Sequence, residues 1–313
     1  MWVLSQIALA ALASTALYAA ALTWLSAAAT PLLILAPLPG LLLMARAGAR
    51  SAVMWCGITA SAVGLSLGVD AVPGYLLPLG VPAILLGLSI ERRMSFERTM
   101  LVGVAATCLG ALVLAWLVYG DFAHVRDIAR AQLASGLESW ISAAAPVATT
   151  DNTIALIAAD RDLLIDTLMN ILPAMAVLNI ALAVALVLVA LRAVTGLPPG
   201  AGLRFWRAPD VLIWALIAGG FGMFAPIDAV SLIASNVFML VIACYFYQGL
   251  AIVSFYLERI GVPRVIRFAS YGLIVIQNLL AVLVLLLGVF DLWVNFRRLN
   301  VGPAKVRLDT DGE

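Results

Sequence analysis

Apolar residues run along this chain in long uninterrupted blocks closed by short arginine-bearing turns, a pattern of membrane-crossing helices rather than of half-buried helices or strands. No side chain between Met1 and Met44 is charged, and residues 2–29 exceed the roughly 20 needed to cross a hydrocarbon core. Ser26 to Thr30 resembles a signal-peptidase site, but no positive stretch precedes the block, so a retained span is expected. Residues 31–45 contain Pro31, Pro37, Pro39 and Gly40 and predict a broken or short span, because each proline removes a backbone donor. Residues 51–68 read as a full span, and 70–90 as a second broken one with Pro73, Gly74, Pro78, Gly80 and Pro82. Further apolar blocks lie at 99–120, 168–191, 211–226, 230–257 and 265–290. The expected fold is therefore all-α, a polytopic transmembrane bundle of eight or nine hydrophobic segments.

The two broken segments echo one another. LAPLPGLLLMARAGARS (35–51) and LLPLGVPAILLGLSIERRMS (76–95) each join a Pro/Gly-broken half, an apolar half and an arginine turn. Alanine- and leucine-rich membrane helices produce such likeness by composition alone. A tandem duplication is the alternative, and paired broken segments are a sequence pointer to a transporter's binding site.

Between the blocks lies one long polar region, 121–166, whose seven acidic residues face only Arg126, Arg130 and Arg161, the balance expected opposite the arginine turns. Val125, Ile128, Leu133, Leu137, Trp140 and Ile141 recur in it at helical steps, predicting an amphipathic extracytoplasmic insertion, with Thr149-Thr150-Asp151 capping a second helix. The chain thus divides into an N-terminal membrane half (1–119), the insertion (120–167), a C-terminal membrane half (168–300) and a polar tail (301–313). Arginine turns at 46–50, 91–98, 192–207 and 259–267 all facing the cytoplasm would put the tail outside after nine crossings, but Arg297, Arg298, Lys305 and Arg307 argue for a cytoplasmic tail, which moves the 259–267 turn to the other side. That requires one late segment to be re-entrant, and 211–226, with three glycines and Pro226, suits the role.

Composition narrows the function. Only 11% of residues are charged, against about 25% in a soluble domain. A net charge of +1 leaves no basic face for nucleic acid. Cys56, Cys108 and Cys244 sit inside apolar blocks as small hydrophobes, and the single His124 reads as a solvated loop residue. With no metal-ligand spacing, no nucleophile set and no phosphate-binding glycine loop, we expect no metal, no cofactor, no enzymatic activity and no ATPase. Asp160, Asp162 and Asp166 match no calcium loop and read as a solvated helix face.

Polarity inside the spans is neutral and late. Asn236, Tyr247 and Gln248 lie on one helix, and Gln277 and Asn278 on the next. Buried amides in lipid need partners, so they either fasten the bundle or line a cavity for a small neutral or zwitterionic solute. Ala11, Thr15, Ala19, Thr23 and Ala27 follow four-residue intervals and form a small-residue strip for internal packing or for a partner helix. Asp291, Asn295 and Arg298 share a helical face at a membrane end and are expected to cap locally or to meet a partner.

The YFYQGLAIVSF (245–255) and GVFDLWVNFRRL (288–299) stretches resemble those of the YybS-like bacterial multi-pass membrane proteins. That group is remotely similar to the substrate-capture subunits of energy-coupling-factor transporters. The resemblance implies a solute-binding protein of the bacterial inner membrane that docks on a coupling subunit through a helix like the Ala11–Ala27 strip. It also implies about six spans. Beyond the lipid bilayer, a coupling subunit or another membrane protein is the implied partner.

Overall fold

A computed structural model describes residues 2–23, 29–144, 160–195 and 206–297, and every element among them is a helix. The chain divides into two compact units, Met1–Gly200 and Ala201–Glu313. The first contains α1 (Trp2–Thr23), α2 (Ala29–Leu35), α3 (Leu38–Ala47), α4 (Ala49–Leu67), α5 (Ala71–Tyr75), a π turn (Leu76–Gly80), α6 (Val81–Glu91), α7 (Phe96–Tyr119), α8 (Phe122–Ala144) and α9 (Arg161–Thr195). The second contains α10 (Leu212–Gly222), α11 (Asp228–Arg259), α12 (Arg264–Ile276) and α13 (Asn278–Val294).

Among the described residues, five helical stretches are long and apolar enough to cross a membrane: Leu4–Thr23, Ala71–Glu91, Phe96–Tyr119, Arg161–Leu191 and Asp228–Arg259. A sixth is added if α12 and α13, bent by 99° at Gln277, form one broken span. The eight or nine segments expected from hydropathy reduce to this number for a physical reason. Prolines cut residues 31–45 into α2 and α3, α10 has only 11 residues, about 16 Å of rise against a core of about 30 Å, and α4, long enough, carries Arg50 and four hydroxyl side chains and is not apolar enough.

Unit 1 is built around three aromatic rings. Tyr75 packs edge-on against Tyr18 at 5.4 Å and against Trp55 at 6.4 Å, and Trp55 Nε1 donates to Ser14 Oγ at 3.2 Å. Gly40 lies so close to the indole face that a Cβ there would overlap it. Trp55 and Ser14 are both shut off from the surroundings, so the indole N–H has no water to turn to. Ser14→Ala should therefore lower the melting temperature of the purified protein by the equivalent of about 1–3 kcal/mol, the cost of orphaning a buried donor. Trp55→Phe in the Ser14→Ala background, measured by the same thermal scan, should cost less than the two single changes summed, since the orphan is removed with the ring nitrogen.

The polar region and the helix after it are continuous with one another. The boundary expected at 167/168 falls inside α9, a single helix of 35 residues that carries Pro173 internally. At about 52 Å it exceeds the hydrocarbon thickness, and its first two turns are tied to α8 by the Arg130–Asp166 pair at 2.5 Å and the Arg161–Glu138 pair at 3.4 Å. In α8 the residues Val125, Ile128, Leu133, Leu137 and Ile141 are half-buried while most of their neighbours are exposed, but Trp140, expected on the same face, is exposed. The expected cap at Thr149–Asp151 lies outside the described residues.

Candidate functional site

The two broken segments of unit 1 meet. Pro37 and Pro39 cannot donate, so the chain turns between α2 and α3, and Ala36 donates its N–H back to Leu32 and Leu33. In the second segment Pro78 and Pro82 remove two more donors. The chain absorbs the loss in the π turn, which closes with the N–H of Val81 on the carbonyl of Leu76. Between the breaks lies an apolar cleft of about 80 Å³, with Leu33, Ile34 and Pro37 on one wall and Pro78, Leu79 and Pro82 on the other. Thr107 of α7 supplies the one side-chain hydroxyl of the lining, and Ile180, Val184 and Val187 of α9 close it. Helix α7 reaches the π turn so closely that a Cβ on Gly110 would collide with the carbonyl of Leu77. A glycine there is what lets a helix backbone lie against a kink.

A second polar assembly occupies unit 2. Asp291 and Arg297 form an ion pair at 2.9 Å with side chains 2% and 0% exposed. Asp291 Oδ2 also accepts from Gln248 Nε2 at 3.0 Å, and its Oδ1 accepts from the N–H of Phe296 at 2.8 Å. Gln248 is used at both ends, because its Oε1 accepts from the N–H of Ala208 at 3.0 Å. Arg297 Nη1 donates to the carbonyl of Trp206 at 2.8 Å, and the Tyr256 hydroxyl donates to that of Phe296 at 2.9 Å. The assembly thereby ties the segment before α10, the middle of α11 and the end of α13 into one knot. Each charge is compensated and hydrogen-bonded, the condition under which a buried pair is tolerated.

The residues expected from sequence are distributed as follows. Gln248 belongs to the knot, and Tyr247 stacks edge-on against Trp206 at 4.8 Å. Asn236, half-buried, donates to the carbonyl of Leu232 one turn back. Gln277 and Asn278 are exposed at the elbow between α12 and α13. These amides do not converge on one cavity. Asp291 and Asn295 do act together: Asn295 adopts the left-handed conformation (φ 48°) that ends α13, and its N–H returns to the carbonyl of Asp291. Arg298 lies outside the described residues, and the cation that reaches Asp291 is its neighbour Arg297. Spacing could not show this, since six residues never share a helical face. The pairing requires the chain reversal at Asn295, and an asparagine after an apolar helix was the available signal.

In α1 the small-residue strip starts buried at Ala11, is half-buried at Thr15 and Ala19, and is exposed at Thr23, while Ala27 lies outside the described residues. A four-residue step overshoots a 3.6-residue turn by about 40°, so the strip winds around the helix. Thr15 and Thr23 hydrogen-bond to the carbonyls of Ala11 and Ala19 one turn back.

A family model described as predicted membrane protein (DUF2232) matches residues 12–292. The chain belongs to this family. No curated protein and no solved structure matches it. The DUF2232 match begins inside α1, covers both broken segments and ends one residue beyond Asp291, so it takes in most of both units and leaves out the start of α1 and Arg297.

Proposed function

We propose that this DUF2232 protein is a solute-binding subunit of the bacterial inner membrane, with no catalytic or ATP-hydrolysing centre of its own, whose solute enters where the two broken segments of unit 1 meet. The observation that carries this reading is the apolar cleft between Pro37 on one side and Pro78 and Pro82 on the other. Discontinuous membrane helices present carbonyls that have lost their donors, and transporters bind solutes at such breaks. With apolar walls and one hydroxyl, Thr107, the cleft suits a small and largely apolar solute with a single polar end.

The layout of unit 1 supports the reading. Helix α1, the α5–α6 stretch, α7 and α9 are long and apolar enough to cross a membrane, and the α2–α3 pair and α4 pack beside α1 as shorter or less apolar helices. A Cβ at Gly48 would lie 3.9 Å from Glu91 Oε1, so the arginine turns after α3 and α6 share one end, and α8 follows α7 at the other. The excess of arginine at the first end supports a cytoplasmic side there and an acidic insertion on the opposite side.

The test uses the full chain with Cys56, Cys108 and Cys244 replaced. Single cysteines at Ile34 and Thr107 should react with a water-soluble maleimide, and a cysteine at Gln248 should not. Complete protection of Ile34→Cys and Thr107→Cys under every condition would sink the proposal.

One observation favours a second reading, a non-transporting membrane scaffold. Gln248, the most buried of the late amides, spends both of its ends on groups of its own chain. Purification from the native membrane in mild detergent separates the two. A co-purifying coupling subunit with ATPases supports solute capture, whereas envelope or division proteins without any bound solute support the scaffold.

A further inference from the structure

Arg46 stands at the end of α3 with its side chain exposed, and among the described residues no acidic group pairs with it. A groove of about 240 Å³ runs from it between α1 and α3, walled by Leu9, Ala10, Pro39, Leu42 and Leu43, with Gln6 as the second polar group at the mouth. Leu9 is 61% and Leu12 68% exposed, which marks this side of α1 as facing lipid. Around the mouth the charge is one-sided: Arg50, Arg92, Arg93 and Arg98 are exposed at the same end as Arg46, against Glu91 and Glu97. Arg46 also borders a second cleft, with Met44, Gly87, Leu191 and Glu91, but among the described residues Glu91 makes no ion pair with it and does not line the α1–α3 groove, where Arg46 is the one charged side chain.

We propose that this groove is a binding site for an anionic phospholipid of the surrounding leaflet. A stretch of acyl chain lies along Leu9, Ala10, Leu42 and Leu43, the phosphate accepts from the Arg46 guanidinium, and Gln6 donates to a headgroup oxygen. The chemistry that selects this occupant is the combination of an apolar channel open to the bilayer with a guanidinium at its mouth. Arginine binds phosphate oxygens in a planar fork, and basic pockets between membrane helices on the cytoplasmic side take such headgroups. A neutral lipid would fill the channel and leave the guanidinium uncompensated, and free phosphate would satisfy the guanidinium and leave the channel empty. The site is separate from the proline-lined cleft and does not depend on its occupant.

The experiment is a thermal scan of the purified full-length protein in mixed micelles with added phosphatidylglycerol, phosphatidylcholine or inorganic phosphate at equal ionic strength. Phosphatidylglycerol should raise the melting temperature, as any ligand of the native state does, and the other two should not. Arg46→Gln should abolish the rise, while Arg130→Gln, in α8, keeps it. Ala10→Phe fills the channel without touching the guanidinium and should abolish the rise as well, which covers the case in which Arg46→Gln folds poorly. An equal rise with phosphatidylcholine, a rise with phosphate alone, or a full rise in both Arg46→Gln and Ala10→Phe would each overturn the proposal.

Discussion

Arg297→Met should be among the most destabilising single substitutions in the chain, lowering stability by about 3–5 kcal/mol, because it strands Asp291 as a buried charge. Asp291 is 1% exposed and would keep only the Gln248 amide and the Phe296 N–H as donors. The reciprocal change Asp291→Leu should cost a similar amount by stranding the guanidinium. The double variant Asp291→Leu, Arg297→Met should recover a large part of the loss, since an apolar pair of similar volume often replaces a buried ion pair without penalty. Thermal unfolding of the four proteins in one detergent measures the coupling directly. If the two single losses simply add in the double variant, the two side chains do not form a buried pair in the folded protein.

Gly249→Leu and Gly288→Leu should each prevent α11 and α13 from seating. At Gly249 even a Cβ would overlap the carbonyl of Val284, and at Gly288 that of Tyr245, so the obstacle in both cases is backbone, which cannot rotate away as a side chain would. Ordinary overpacking costs about 1–3 kcal/mol, and the loss here should exceed that range. Gly272→Ala is the control, since nothing lies within 4 Å of a Cβ there and a helical glycine replaced by alanine gains about 1 kcal/mol. Size-exclusion chromatography of fluorescently tagged protein reads the outcome as the monodisperse fraction after solubilisation. Wild-type profiles for both leucine variants would mean that the helices do not cross at these glycines.

These predictions also separate what a sequence can say from what it cannot. Hydropathy locates most of the long helices, because a membrane span is dictated by a local property. The number of spans is harder, since Pro37 and the 11 residues of α10 turn apolar blocks into short helices without making them less apolar. The importance of Gln248 is legible as an amide inside an apolar helix, but its partners are not. Ala208 and Asp291 lie 40 and 43 residues away, and no periodicity connects them. Spacing points to Arg298 rather than Arg297 only when helical steps are extended past Val294, where the left-handed Asn295 has already ended the helix. The meeting of the two broken segments is suggested by their echo. The groove beside Arg46 is not, since it is made by α1 and α3 leaning together.

The π turn has a consequence for how its span is drawn. One residue more than an α turn puts α5 and α6 about 100° out of phase, each with its own inward face. Tyr75, at the end of α5, packs toward Tyr18 and Trp55, while Pro82 and Leu86 of α6 line the proline-walled cleft. A helical wheel carried straight through Ala71–Glu91 would instead stack Tyr75, Pro82 and Leu86 within about 40° of one another, as a single face. The aromatic cluster and the cleft wall adjoin within one apolar core, and the residue that the turn takes up lets a single crossing serve both.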